Sequence, residues 1–274
     1  MNRSESISSS PRLGGRVMLV TGASTGIGRS IARLAAEEGA RLVLADVNTE
    51  GGEELAREVA GQGGEVLFMR CDVSDAEQVG RLVEEAVRHF GRLDVLVNNA
   101  GIAGNALPAH ELSADDWDRV IAVNLRGPFL CAHFALPHLM AGGAGVIVNV
   151  ASTYGLVGAP LAPAYCASKG GVVNLTRQLA VDYGGRGVRV NAVCPGYVDT
   201  DMGGHRARLP PAQREAAQAR RGANAALQPL GRQAHADEIA RAVLFLASDD
   251  SSFMTGSVVT VDGGCTATFN HGPG

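Results

Sequence analysis

Apolar residues along the chain follow two alternating patterns. Short continuous runs at residues 17–20, 42–45, 66–69, 95–97, 146–150, 188–193 and 258–261 have the length of strands buried on both faces. Between them apolar positions recur at helical spacing, as with Ile31, Leu34 and Ala35 ahead of Gly39, and helices are expected near 53–60, 76–90, 117–139, 164–181 and 237–247. Continuous apolar strands separated by helices point to a parallel sheet covered on both sides. The fold expected is a single α/β domain, a Rossmann-type doubly wound sheet of about seven strands. No internal repeat and no linker divides it. The rhythm breaks once, at 199–236, where Gly203-Gly204, Pro210-Pro211 and several arginines replace bulky apolar residues. A stretch this long is read as a lid over the ligand edge of the sheet, against the plainer reading of a solvated excursion.

Composition narrows the class. With 46% hydrophobic and 19% charged residues and a net charge of −4, the chain has the balance of a soluble globular protein, and nothing in it suits nucleic acid or an anionic membrane. No apolar run approaches the roughly 18–20 residues of a membrane span. The five cysteines (Cys71, Cys131, Cys166, Cys194, Cys265) are odd in number and lack a Cys-x-x-Cys spacing. They read as reduced thiols of a cytoplasmic protein, and no histidine spacing suggests a metal. The serine-rich residues 1–13 are expected to be a disordered tail, 14–264 the folded domain and 265–274 a second tail.

The first strand runs directly into Thr21-Gly22-Ala23-Ser24-Thr25-Gly26-Ile27-Gly28. Glycines at such a turn let the backbone approach a pyrophosphate, whose charge then meets the next helix N-terminus. The second strand ends in Asp46, close to the offset of a ribose-binding carboxylate. Its charge would repel a 2′-phosphate, and no arginine or lysine lies between Gly22 and Gly28 to offset that, so NAD is expected over NADP. Asp46 as a helix cap is the competing reading. Asp72 and Val73 follow the third strand, with Asp72 placed to touch adenine or to cap the next helix. Asn98-Asn99-Ala100-Gly101 ends the fourth, where Ala100 and Gly101 leave room for a cofactor and Asn98 can hold the surrounding backbone. After the fifth strand come Ser152 and then Tyr165-Cys166-Ala167-Ser168-Lys169. A tyrosine and a lysine four apart share a helix face, so the ammonium can lower the phenol from its ordinary value near ~10. Ser152 can bond the oxygen that Tyr165 protonates.

Thr-Gly-x-x-x-Gly-Ile-Gly, Asn-Asn-Ala-Gly, a serine after the fifth strand and Tyr-x-x-x-Lys, in that order from about residue 16 to 264, resemble the short-chain dehydrogenase/reductase family. The resemblance implies a catalytic tetrad of Asn124, Ser152, Tyr165 and Lys169, with Asn124 propping a water that links Lys169 to solvent. It implies that Pro195, Gly196, Val198 and Thr200 line the nicotinamide and that Lys169 binds its ribose. It further implies a homotetramer or homodimer, since the helices at 117–139 and 164–181 are apolar on more than one face. The reaction expected is hydride transfer between NAD and a small or medium secondary alcohol, cyclic ones included. The substrate pocket is expected around Ile102, Ala103, Ser152, Thr153, Tyr154, Leu156, Val157 and Tyr165. The lid arginines Arg206, Arg208, Arg220 and Arg221 either bind a substrate anion or are solvated. Two alternatives stand: a 3-oxoacyl-carrier-protein reductase, disfavoured by Asp46, and a dinucleotide-sensing module without chemistry, disfavoured by the intact tetrad.

Overall fold

The computed structural model describes residues 11–200, 209–226 and 228–268. Seven strands, all parallel, form one sheet: β1 (Val17–Thr21), β2 (Arg41–Asp46), β3 (Val66–Arg70), β4 (Val95–Asn98), β5 (Gly145–Val150), β6 (Val188–Pro195) and β7 (Val258–Val261), in the spatial order 3-2-1-4-5-6-7. The order reverses between β1 and β4, and loops at the carboxyl ends of those two strands diverge to opposite faces. That divergence opens the crevice in which such sheets bind ligands.

Within each apolar run, alternate residues serve opposite faces. Met18, Val20, Leu42, Leu44, Val95 and Val97 pack with Ile31, Leu55, Ile239 and Val243, which belong to α1 (Gly26–Glu37), α2 (Thr49–Gly61) and α8 (Ala236–Ala247). Val17, Leu19, Val43, Leu96 and Ile147 pack with Leu82, Leu136 and Leu179 of α3 (Ala76–Phe90), α5 (Gly127–Ala141) and α6 (Pro163–Tyr183). Strands buried on both faces need no polar alternation, which is why the runs are continuous.

Three expectations change. Leu13 is wholly buried in the first of these cores and its amide bonds Glu38 O, so ordered chain begins before residue 14. The helix expected at 117–139 is α4 (Ala114–Ile121), a wider π-turn (Ala122–Arg126) and α5 in unbroken succession. By length and composition alone this run could cross a membrane, yet half of it is buried, as in a core helix. Finally, the segment read as a lid contains a helix, α7 (Pro211–Ala226). Its alanines at 212, 216, 217, 219, 223, 225 and 226 favour helix without offering the bulky stripe that marks the other helices. Arg206 and Arg208, and the side chains of Arg220 and Arg221, lie outside the described residues.

Candidate active site

The residues singled out in the sequence sit at the carboxyl ends of successive strands. The loop after β1 turns on Gly22 at φ +64° and Gly26 at φ +55°. A Cβ on Gly28 would fall 2.0 Å from Gly22 O, and one on Gly22 would fall 2.7 Å from Ala100 Cα, so the close packing admits no side chain. Ile27 packs against the core. Thr25 precedes α1 without a side-chain cap, and no acidic residue occupies the first turn. The partial positive charge of that helix end is thus left for an anion, which fits a dinucleotide pyrophosphate.

Asp46 accepts from Ser24 N at 3.0 Å and Ser24 Oγ at 2.8 Å on one oxygen, and from Asn48 N at 2.9 Å on the other. The cap of α2 is Asn48, so Asp46 does not serve as one. Asp72 does not cap α3 either: Asp75 does, while Asp72 accepts from Ser74 N at 2.9 Å and Ser74 Oγ at 2.7 Å. Val73 is buried against the start of α5, close to Gly127.

Asn98 ends β4 as a buried side chain. It is 3% exposed, and its Nδ2 donates to Asn149 Oδ1 at 2.8 Å, which continues through Asn149 Nδ2 to Thr176 Oγ1 at 2.9 Å. Its Nδ2 also reaches the backbone at Pro128 O, at 3.5 Å. The backbone is held by its neighbour Asn99, whose Nδ2 donates to Thr21 O and Gly22 O, both at 2.9 Å. Thr21 Oγ1 in turn accepts from Asn99 N and Ala100 N at 3.1 Å. The pair of adjacent asparagines was the signal; alternation across the strand end assigns one inward and one to the loop.

Asn124 lies in the π-turn, fully buried, and clamps the chain after Gly101 from both sides. Its Oδ1 accepts from Ile102 N and its Nδ2 donates to Ile102 O, both at 2.8 Å, and Nδ2 also reaches Ser168 Oγ at 3.2 Å. A Cβ on Gly101 would lie 3.3 Å from Asn124 Oδ1 and 3.5 Å from Lys169 Nζ, so a glycine there lets three groups meet. Lys169 is 4% exposed, donates to Val150 O at 2.9 Å and lies 5.8 Å from the Tyr165 ring centroid. Burial lowers it to about 8. Burial also pushes the Tyr165 phenol above its ordinary value, with a hydrogen bond from Ser152 opposing. The phenol is therefore not lowered by the lysine as the spacing suggests. Both groups are desolvated, and desolvation disfavours the charged form of each.

Ser152 is nearly buried and starts a single turn (Thr153–Gly155), with its Oγ accepting from Tyr154 N at 3.2 Å. Gly155 fits directly under Lys169 O. Leu156 and Val157 are exposed beyond it, and Leu161, four residues before Tyr165, has φ +57°. Pro195 ends β6; Gly196 fits against Gln228 and Asp262; Val198 bridges to Ala234; and Thr200 reaches the position over Gly26. Tyr197 was not anticipated. Its hydroxyl lies 3.1 Å from that of Tyr154, whose ring meets those of Tyr165 and Tyr197 edge to face.

A glycine loop at an uncapped helix N-terminus, with a phenol, a serine and a buried lysine at the same sheet edge, is the arrangement of an oxidoreductase. The chain belongs to the short-chain dehydrogenase/reductase family. The family model described as enoyl-(acyl carrier protein) reductase matches residues 22–266. Cis-4-hydroxycyclohexanecarboxylate dehydrogenase of Sinomonas cyclohexanicum is 48% identical over 252 residues, 92% of this chain and 97% of that protein. The 3-oxoacyl-[acyl-carrier-protein] reductase of Thermotoga maritima is 42% identical, over 92% of this chain and 98% of its own. The crystal structure of levodione reductase superposes with a TM-score of 0.87 at 40% identity, covering 94% of this chain and all of the other.

Proposed function

We propose that the protein is an NAD-dependent dehydrogenase interconverting a small or medium cyclic secondary alcohol and its ketone, with Tyr165 as acid and base. The observation that carries this reading is the meeting, at one sheet edge, of Tyr165 bonded to Ser152 above buried Lys169, beside an uncapped helix that follows a glycine loop. Gly22, Gly26 and Gly28 would admit the pyrophosphate, Asp46 the adenosine ribose, Asp72 and Val73 the adenine. Ala100 and Gly101 would floor the cleft; Pro195, Gly196, Val198 and Thr200 would flank the nicotinamide. When bound, that ring supplies or accepts the hydride.

The chain's own part is to manage the proton. Burial holds Tyr165 protonated at neutral pH, so it gives its proton to the carbonyl oxygen as a ketone is reduced. Ser152 holds that oxygen. Lys169 spends one donor on Val150 O and keeps two, with which it binds the nicotinamide ribose and returns a proton to Tyr165. Asn124 fixes Ile102 and, with its main chain in the π-turn, holds the water that links Lys169 to solvent. Helix α7 covers the substrate, and the active form is a homotetramer.

Asp46 supports NAD over NADP, because a carboxylate fixed by Ser24 and Asn48 cannot turn away from a 2′-phosphate. The test is NADH formation over cyclic and open secondary alcohols, with both cofactors and with Tyr165→Phe beside the wild type. Turnover that requires NAD and falls at least about 10²-fold in the variant is expected. Silence on every alcohol would sink the reading. Efficient reduction of 3-oxoacyl thioesters with NADPH would instead establish the 3-oxoacyl-carrier-protein reductase, which the Thermotoga relative favours.

A further inference from the structure

We propose that the hydroxyl pair of Tyr154 and Tyr197 reads the substrate, taking a second, uncharged oxygen that the substrate carries away from its reacting carbon. This rests on the dehydrogenase reading above and specifies its substrate as a diol or hydroxyketone in place of a plain alcohol.

Geometry carries the argument. The Tyr154 ring stands edge to face against Tyr165 at a centroid distance of 6.2 Å and against Tyr197 at 6.5 Å, so the three rings form a chain that starts at the reacting phenol. Among the described residues the two hydroxyls bond each other at 3.1 Å and no other group. Two phenols hold two donors and four acceptor sites, and their mutual bond uses one of each. A part-buried pair with that capacity left can take a further oxygen.

Both backbones are fixed. Tyr154 N donates to Ser152 Oγ, while Tyr197 N donates to Gln228 Oε1 at 3.3 Å and Tyr197 O accepts from Ala234 N at 2.9 Å. Gln228, 4% exposed, is itself held through Nε2 by Arg232 O at 2.9 Å. The phenols are thus presented on fixed supports just after two neighbouring strands, β5 and β6, as a recognition site requires.

The chemistry selects the ligand. The charges that reach Tyr154 come from Tyr197, Cys265 and Cys166, none of them cationic, and burial with these neighbours keeps the phenol protonated. Arg232 lines the cavity beside Tyr197 but is already paired with Glu238 at 2.7 and 2.8 Å, so a carboxylate brought here would have to compete for its charge. A hydroxyl, which donates and accepts at once, matches what the pair leaves open, and a carbonyl accepts its spare proton. Neutral oxygen is therefore favoured over an acid group, even though the Sinomonas relative is named for a carboxylate.

The experiment compares kcat/KM for cyclohexanol, the cyclohexane-1,2-, 1,3- and 1,4-diols and 4-hydroxycyclohexanecarboxylate in the wild type, Tyr154→Phe and Tyr197→Phe. Phenylalanine keeps both rings and removes only the hydroxyls. The proposal expects one diol to be preferred over cyclohexanol and the ratio of the two to fall roughly tenfold in each variant, chiefly through KM. An unchanged ratio, with both substrates losing alike, would make the pair mere packing and overturn it. A preference for the carboxylate that is lost in the variants would overturn the neutral-oxygen assignment. A wild type that oxidises no alcohol fails the parent reading itself, an outcome distinct from turnover with an unmoved ratio.

Discussion

Lys169 shows how much one residue can cost its own fold. Its ammonium titrates at about 8 in the folded protein against 10.5 when free, so the unfolded chain binds more protons between those values. Stability from this group therefore rises as pH climbs from about 8 to 10.5, and below 8 the buried charge is a constant penalty. Lys169→Met should melt higher than the wild type at pH 7, lose catalysis, and converge with the wild type near pH 10; a variant that melts lower at pH 7 would refute the account. Tyr165 has the opposite charge logic. Because burial raises its phenol, alcohol oxidation should accelerate from pH 7 into the alkaline range while ketone reduction does not, which a pair of pH-rate profiles will show. Leu161 carries strain of another kind, a left-handed backbone on a side chain left half exposed. Leu161→Gly should relieve about 1 kcal/mol, read as a higher melting temperature. The Tyr-x-x-x-Lys spacing made the pair itself legible in the sequence, but the direction of the phenol's shift was not. That depends on how much water two neighbouring strands exclude, which no spacing encodes.

At the scale of elements, ties between distant segments decide what the sequence conceals. Two arginines finish α8: Arg16 Nη1 donates to Ala247 O, and Arg189 reaches Leu246 O, Ser248 O, Ser251 Oγ and Met254 O. Free carbonyls at a helix C-terminus need such donors, and the guanidinium fork supplies several at once. Arg189→Leu should cost roughly 2–4 kcal/mol and lower the melting temperature by several degrees, with Arg189→Lys rescuing little. Loss of less than a degree would show that solvent does the capping. In the same way Asn99 joins the end of β4 to the glycine loop, so Asn99→Ala should weaken NAD binding about tenfold in a calorimetric titration, whereas Asn98→Ala should act mainly on stability. Strands and helices were legible to within a few residues because their apolar periods are local. The π-turn at 122–126 and helix α7 were not, since neither alters the hydrophobic period in a way that a linear pattern registers.

Across the molecule, part of the apolar surface exposed among the described residues lies on helices and turns apart from the Ser152 loop. Val181 is 80% exposed on α6, Phe129 is 49% exposed on α5, and Phe253 is fully exposed in the turn that brings Gly256 against Ala180. Burying these between copies is what the proposed assembly requires. Sedimentation should find a species larger than one chain, and Val181→Glu combined with Phe253→Ser should shift it toward monomer; a wild-type monomer would remove the claim. Fold class was readable because one parallel sheet repeats one unit, whereas the contact between Tyr154 and Tyr197 joins positions that only the folded sheet makes neighbours. That contact has a consequence for divergence. Tyr154 holds Ser152 with its main-chain amide, and Tyr197 is anchored to Gln228 and Ala234 through its own backbone, so neither tether depends on which side chain stands there. Mutational drift or laboratory selection can thus trade the hydroxyls, as in a change to phenylalanine, while these main-chain ties and the ring packed on Tyr165 stay in place, and a new selectivity becomes reachable by single steps from a working enzyme.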